Sequence, residues 1–200
     1  MDEHRRLGHA SRQVIADHLA SPPAESRRRR PRTGQRGWTS VVHVGDRGGE
    51  GADRATIHFA KTKVFPPCQL HQVSFVDWAG RSMNLLVRTW QDDDGEWRVA
   101  PCGGGGGGHP RRSRPWVNFA ARFGPDAFTG GGRVVGEGAE RARVVRLTFA
   151  NAVVVEDTVE GGVVLYFEPR RVATPAEVDI LDADGTSLVR YEEFGGLADG

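Results

Sequence analysis

The sequence predicts an all-β protein: an antiparallel, β-sandwich-like body in two small layers or subdomains, with an N-terminal helix and a disordered basic linker. Three observations carry this. Val145, Leu147 and Phe149 alternate with Arg146 and Thr148, and Glu177-Val-Asp-Ile-Leu repeats the pattern; period-2 alternation with β-branched and aromatic residues is the strand signal. The run Val163-Val-Leu-Tyr-Phe has the same residue preferences, and breaks fall on turn residues at Asn151, Gly161-Gly162, Pro169 and Asp184-Gly185. About six short strands between residues 128 and 194 make a sandwich the natural arrangement. Within it, Val145, Leu147 and Phe149 form the core face, expected to meet Val163, Leu165 and Phe167.

Composition sets the bounds. Two hundred residues suffice for one generous domain or two small ones, and whether 38–200 is one or two stays open. Glycine, 27 of 200, exceeds the usual share of about 7% and suits short strands joined by turns. Arginine supplies 25 of the 27 basic residues and lysine only Lys61 and Lys63, a bias that points to a GC-rich genome. Residues 1–37 hold nine arginines and four acids (+5); residues 38–200 hold 18 basic and 22 acidic residues (−4). A basic tail on a mildly acidic body results. No run of eighteen apolar residues exists to span a membrane, and MDEHRRLGHA lacks the apolar region of a signal peptide, so a cytoplasmic location is expected.

Along the chain, the first segment (1–37) opens with helical spacing from Asp2 to Ala20, placing Leu7, Ala10, Val14, Ile15, His18 and Leu19 near one face. Asp2 and Glu3 suit the positive end of the helix dipole, and Ser21-Pro22-Pro23 stops the helix. The stripe is narrow, so the helix either docks on the body or frays, and residues 1–37 are expected to be removable without unfolding the rest. Arg27, Arg28, Arg29, Arg30, Arg32 and Arg36 follow among Pro and Gly, without apolar residues to build a core. They form either a solvated linker or a weak contact for nucleic acid or another polyanion; from Arg27 to Gly37 no aromatic ring offers a stacking platform.

The second segment (38–122) reads as strands in Trp38–Val44, Ala55–Phe59, Gln72–Trp78, Met83–Trp90, Glu96–Val99 and Trp116–Phe119, with Asp92-Asp-Asp-Gly95 a hairpin turn. Its five tryptophans read as packing residues. The glycines at 103–108 are expected to form a flexible loop, since six in a row carry a high backbone entropy cost. The third segment (123–200) is the C-terminal sandwich module.

The arrangement Pro115-Trp-Val-Asn-Phe, Phe128-x-Gly-Gly-x-Arg-Val, VVRLTFA, Val155-Glu-Asp-Thr-Val-Glu-x-Gly-Val-Val-Leu and DILDADGTSLV resembles the C-terminal module of a family of uncharacterised actinobacterial all-β proteins. The resemblance covers roughly Pro115 to Tyr191. It implies a sandwich and brings no activity, cofactor or catalytic residue.

Motifs for chemistry are sparse. Cys68, His71, Cys102 and His109 have the residue types of a zinc site, but the second pair is spaced by six residues, outside structural zinc patterns. Two unpaired thiols are expected, a disulfide being unusual in a reducing cytoplasm. No G-x-S-x-G, H-E-x-x-H or helix-opening G-x-G-x-x-G occurs. Asp182-Ala-Asp-Gly185 fits a calcium loop in neither register and reads as a tight turn. No catalytic, cofactor or metal residues are assigned, and none of these is expected. The sequence therefore points first to a non-enzymatic interaction or structural module with an unknown protein partner, second to nucleic-acid or polyanion binding through the arginine run, and third to a hydrolase or metal-dependent enzyme.

Overall fold

The computed structural model describes residues 2–21, 51–106, 112–124, 127–174 and 176–194. Helix α1 runs Asp2–Ala20, the bounds expected from its acidic start and proline stop. Strands follow as β1 (His58–Phe65), β2 (Cys68–Val76), β3 (Ser82–Gln91), β4 (Trp97–Gly106), β5 (Trp116–Phe123), β6 (Phe128–Val135), β7 (Val144–Phe149), β8 (Val154–Thr158), β9 (Val163–Glu168), β10 (Ala176–Leu181) and β11 (Ser187–Glu193). Among the described residues the protein is all-β apart from α1 and two short 3-10 turns, and every strand pairing is antiparallel. The sequence boundary at 122/123 falls within β5. The expected strand Trp38–Val44 and the arginine run lie outside the described residues.

Three sheets form, in the orders β1-β2-β3-β4, β5-β6-β9 and β11-β10-β7-β8. Alternation along each strand shows how they stack. On the first sheet, Val73, Phe75, Leu85 and Val87 meet Ile15 and Leu19 of α1. Its other face carries Leu70 and Leu86 against Val163 and Leu165 of the β5-β6-β9 sheet. That sheet turns Val117, Phe128, Val164 and Tyr166 the opposite way, onto Val145, Leu147, Phe149, Val178 and Ile180. The order is thus helix, sheet, sheet, sheet, with β5-β6-β9 enclosed on both faces.

Two readings are corrected by this stacking. Val145, Leu147 and Phe149 are the buried face of β7, but they meet Val164 and Tyr166, and not Val163, Leu165 and Phe167. Because β9 has apolar neighbours on both sides, its run of apolar residues carries no parity. The helix is also part of the core, with Ile15 and Leu19 fully buried; Ala52 N donates to Leu19 O (2.9 Å) and Arg54 reaches Asp17 (2.5 Å). Within the segment 1–37, the described helix is therefore packed as part of the body, against the expectation that the whole segment is removable, while residues 22–37 lie outside the described residues.

The glycines are corrected as well. Gly103–Gly106 complete β4, paired with Leu86, Leu85, Asn84 and Met83, while 107 and 108 lie outside the described residues. A Cβ at Gly104, where φ is +143°, would sit 2.1 Å from Asn84 O. The conformational freedom that argued for a loop is spent on a close approach.

Three hairpin turns share one device. Asp77, Asp92 and Asp182 each accept, through Oδ1, the backbone N–H groups two and four residues on. Gly80, Gly95 and Gly185, three residues after each Asp, have φ of +77°, +79° and +78°. The carboxylate closes the turn and glycine takes the left-handed position without strain. The turns expected at Asp92–Gly95 and Asp184–Gly185 form accordingly.

Candidate functional site

The site grows from a register shift in β1. Between Phe59 and Lys61 the pairing with β2 slips by one residue, leaving Ala60 as the extra residue of a bulge. Phe59 and Thr62 therefore face the helix side, where both meet His71, while Lys61, Lys63 and Phe65 face the enclosed sheet. A bulge re-aims side chains in this way. Without it Lys61 would share the Phe59 face.

Both lysines converge on Asp157 of β8. Lys61 Nζ donates to Asp157 Oδ2 (2.7 Å) and Thr158 O (2.6 Å), and Lys63 Nζ donates to Asp157 Oδ1 (2.6 Å). Leu165 N on β9 also donates to Asp157 Oδ2 (2.6 Å), and Lys61 Nζ lies 3.5 Å from Val163 O. The Lys61 and Asp157 side chains are 4% and 2% exposed. Glu160 Oε1 stands 3.8 Å from Lys61 Nζ, on a side chain 67% exposed.

Burying such charges is costly unless every lone pair and proton is used. Here both carboxylate oxygens are occupied, and the cluster closes the free edge of β9 that an extra strand would otherwise seek. Strands β1, β8 and β9, one from each sheet, meet at this point.

From Lys63 a row of cations and rings continues along the junction of the first two sheets. Lys63 Nζ is 5.1 Å from the Phe65 ring centre, and the Phe65 and Phe167 rings are 5.9 Å apart. The Arg88 guanidinium lies 5.5 Å from Phe167 and 5.3 Å from Trp90. Each contact has cation–π or aromatic-pair geometry, and all five side chains are half-buried. Arg88 Nε is enclosed and makes no hydrogen bond within the described residues.

Cys68 and Cys102 lie near Arg88 and are free thiols. Burial pushes both thiols up, Cys102 to about 11, against the pull of neighbouring arginines. Thiols so held are poor nucleophiles at neutral pH. Cys68 and His71 lie on opposite faces of β2, so they do not converge on one ion; His109 lies outside the described residues. Among the described residues no group of three or more His, Cys, Asp or Glu side chains is placed to hold a metal.

A second polar group lies under the helix. His71, fully enclosed, is held between Thr62 Oγ1 and Thr89 Oγ1, each at 3.1 Å. Ser11 of α1 donates to Gln69 Oε1 (2.9 Å), and Arg12 to Thr62 Oγ1 (3.2 Å). Burial, reinforced by Arg12, lowers the His71 pKa to about 3, so its imidazole is neutral at physiological pH.

Of the residues singled out from sequence, Arg27, Arg28, Arg29, Arg30, Arg32 and Arg36 fall outside the described residues. From sequence Glu156, Asp157 and Glu160 read as a polar strand face, but Asp157 is buried against Lys61, a partner 96 positions away that local pattern does not reveal. The available signal was compositional: the chain's two lysines stand two residues apart. No family model, curated protein or solved structure matches this chain. No helix among the described residues is long and apolar enough to cross a membrane.

Proposed function

We propose that the protein is a non-enzymatic interaction or structural module that binds a protein partner through the Lys63–Phe65–Phe167–Arg88–Trp90 row. The observation that carries this reading is the Arg88 guanidinium, half-buried and within 5.3 Å of the Trp90 ring centre and 5.5 Å of that of Phe167. Arginine and tryptophan in partly desolvated settings are the residues that anchor interfaces. The charged groups beside it are engaged in holding sheets together. A cytoplasmic setting accords with the free thiols Cys68 and Cys102. The likeness to the actinobacterial module belongs to the same proposal and adds no site.

The test is affinity capture, after cross-linking in the native host, with wild type and the double variant Arg88→Ser/Trp90→Ala. A partner enriched by wild type and lost by a variant of unchanged melting temperature supports the row. Equal capture of the same partners by both proteins removes it.

A second reading, polyanion binding through Arg27, Arg28, Arg29, Arg30, Arg32 and Arg36, is favoured by one observation. Gly51 N donates to Ser21 O (3.3 Å), so the two described residues that flank the segment 22–50, a stretch whose sequence holds seven arginines and three acids, lie side by side. Trp78 N donates to Gly51 O (2.8 Å), and the Trp78 side chain there is 61% exposed. It supplies the stacking surface that the arginine run lacks. Binding of single-stranded DNA should weaken steeply with salt and fall again in Trp78→Ala. Affinity indifferent to both changes would exclude this reading.

A further inference from the structure

We infer that Lys61 and Asp157 are the precursors of a self-formed amide (isopeptide) bond joining β1 to β8. Three features of the cluster are those the condensation needs. The amine and carboxyl are in contact at 2.7 Å and nearly closed to water. A second cation, Lys63, sits on the other oxygen, Oδ1. A carboxylate with access to solvent, Glu160, stands 3.8 Å from the amine.

The choice of residue points the same way. This chain uses arginine for 25 of 27 basic residues, yet both lysines are placed on this carboxylate. A guanidinium would make the ion pair, with bidentate geometry, but cannot be deprotonated to act as a nucleophile; a desolvated lysine amine can.

The step balances without a co-reactant. Lys61 Nζ gives a proton to Glu160 and attacks Asp157 Cγ. Negative charge collects on Oδ1, where the Lys63 ammonium holds it. The Nζ–Cγ bond forms and the Cγ–Oδ2 bond breaks. Oδ2 departs as water, taking the two protons the ammonium loses, one of them returned by Glu160. Nothing is oxidised or reduced. The product replaces a buried cation and anion with a neutral amide, which removes the desolvation cost of the pair. Such a staple, unlike a disulfide, also survives in a reducing compartment.

The test is the intact mass of purified wild-type protein under denaturing conditions, followed by peptide mapping. The expected result is a mass one water below that of the sequence, with a branched peptide joining Lys61 to Asp157. Lys61→Arg and Asp157→Ala should show their full sequence masses, and Glu160→Gln should be mostly unlinked. Wild-type protein should also run faster than Lys61→Arg in denaturing electrophoresis, because the link closes a long loop. A wild-type mass equal to that of the sequence overturns the inference. So does loss of water that maps elsewhere, such as a cyclised Asp-Gly turn or a Lys63 link.

Discussion

Trp116 lies flat on Tyr191, ring centres 3.9 Å apart and planes 14° from parallel, while the Tyr191 hydroxyl accepts the backbone N–H of Val117 (2.9 Å). This pair ties β5, at one edge of the enclosed sheet, to β11, at the edge of the outer sheet. Arg112 covers the Trp116 ring at 4.7 Å. Tyr191→Phe keeps the stack and removes the acceptor of Val117, so it should cost about 1 kcal/mol, the usual worth of one such bond. Trp116→Ala removes the stack as well and should cost about 3 kcal/mol or more. Urea midpoints of the two variants check the order.

The helix prediction reverses the sequence expectation. Ile15→Ala and Leu19→Ala should each destabilise by about 2–5 kcal/mol, as truncation of fully buried aliphatic residues does. A chain starting at Gly51 should melt well below the full chain. An unchanged melting midpoint would mean that α1 contributes nothing to the core.

Strand β7 has a sharp contrast between neighbours. Leu147 is fully buried, and Leu147→Ala should cost about 2–5 kcal/mol. Arg146 faces outward and pairs with Glu156, so Arg146→Ala should cost under about 1 kcal/mol. Denaturant midpoints that rank them the other way would put the strand one residue out of register.

His71 makes stability depend on pH. Its folded pKa, about 3, lies below the ordinary value of 6.5. Between these values the unfolded chain binds the proton and the folded chain does not, so stability rises with pH. The contribution is fully present above about pH 6.5 and is lost progressively down to about pH 3, by up to about 1.4 kcal/mol per pH unit. The urea midpoint of wild type should therefore fall between pH 7 and pH 4 more steeply than that of His71→Gln.

How much was legible follows from what each strand faces. β7 has one solvent side, so Arg146 and Thr148 mark the outside and its core face can be read directly. β9 has none, and Val163 to Phe167 gives the same pattern in either register. The bounds of α1 are legible in Asp2, Glu3 and Ser21-Pro22, whereas its docking combines the buried Ile15 and Leu19 with polar contacts from Ser11, Arg12 and Asp17, which apolar periodicity does not register. Gly103–Gly106 form a strand against the loop expectation because the sequence shows the entropy cost of glycine but not the backbone that comes within reach of its missing Cβ. Lys61 was out of reach on two counts: its partner is distant in the chain, and the bulge at Ala60 reverses the face that simple alternation assigns.

The enclosed sheet has a consequence for how the molecule comes apart. Val163 and Leu165 belong to one apolar cluster while Val164 and Tyr166, on the same strand, belong to another. Neither cluster can be exposed to water without breaking the strand that supports its neighbour. The layers should therefore melt as one cooperative unit, with calorimetric and van't Hoff enthalpies in agreement. The amide hydrogens of β6 and β9 should exchange last, at rates set by global unfolding.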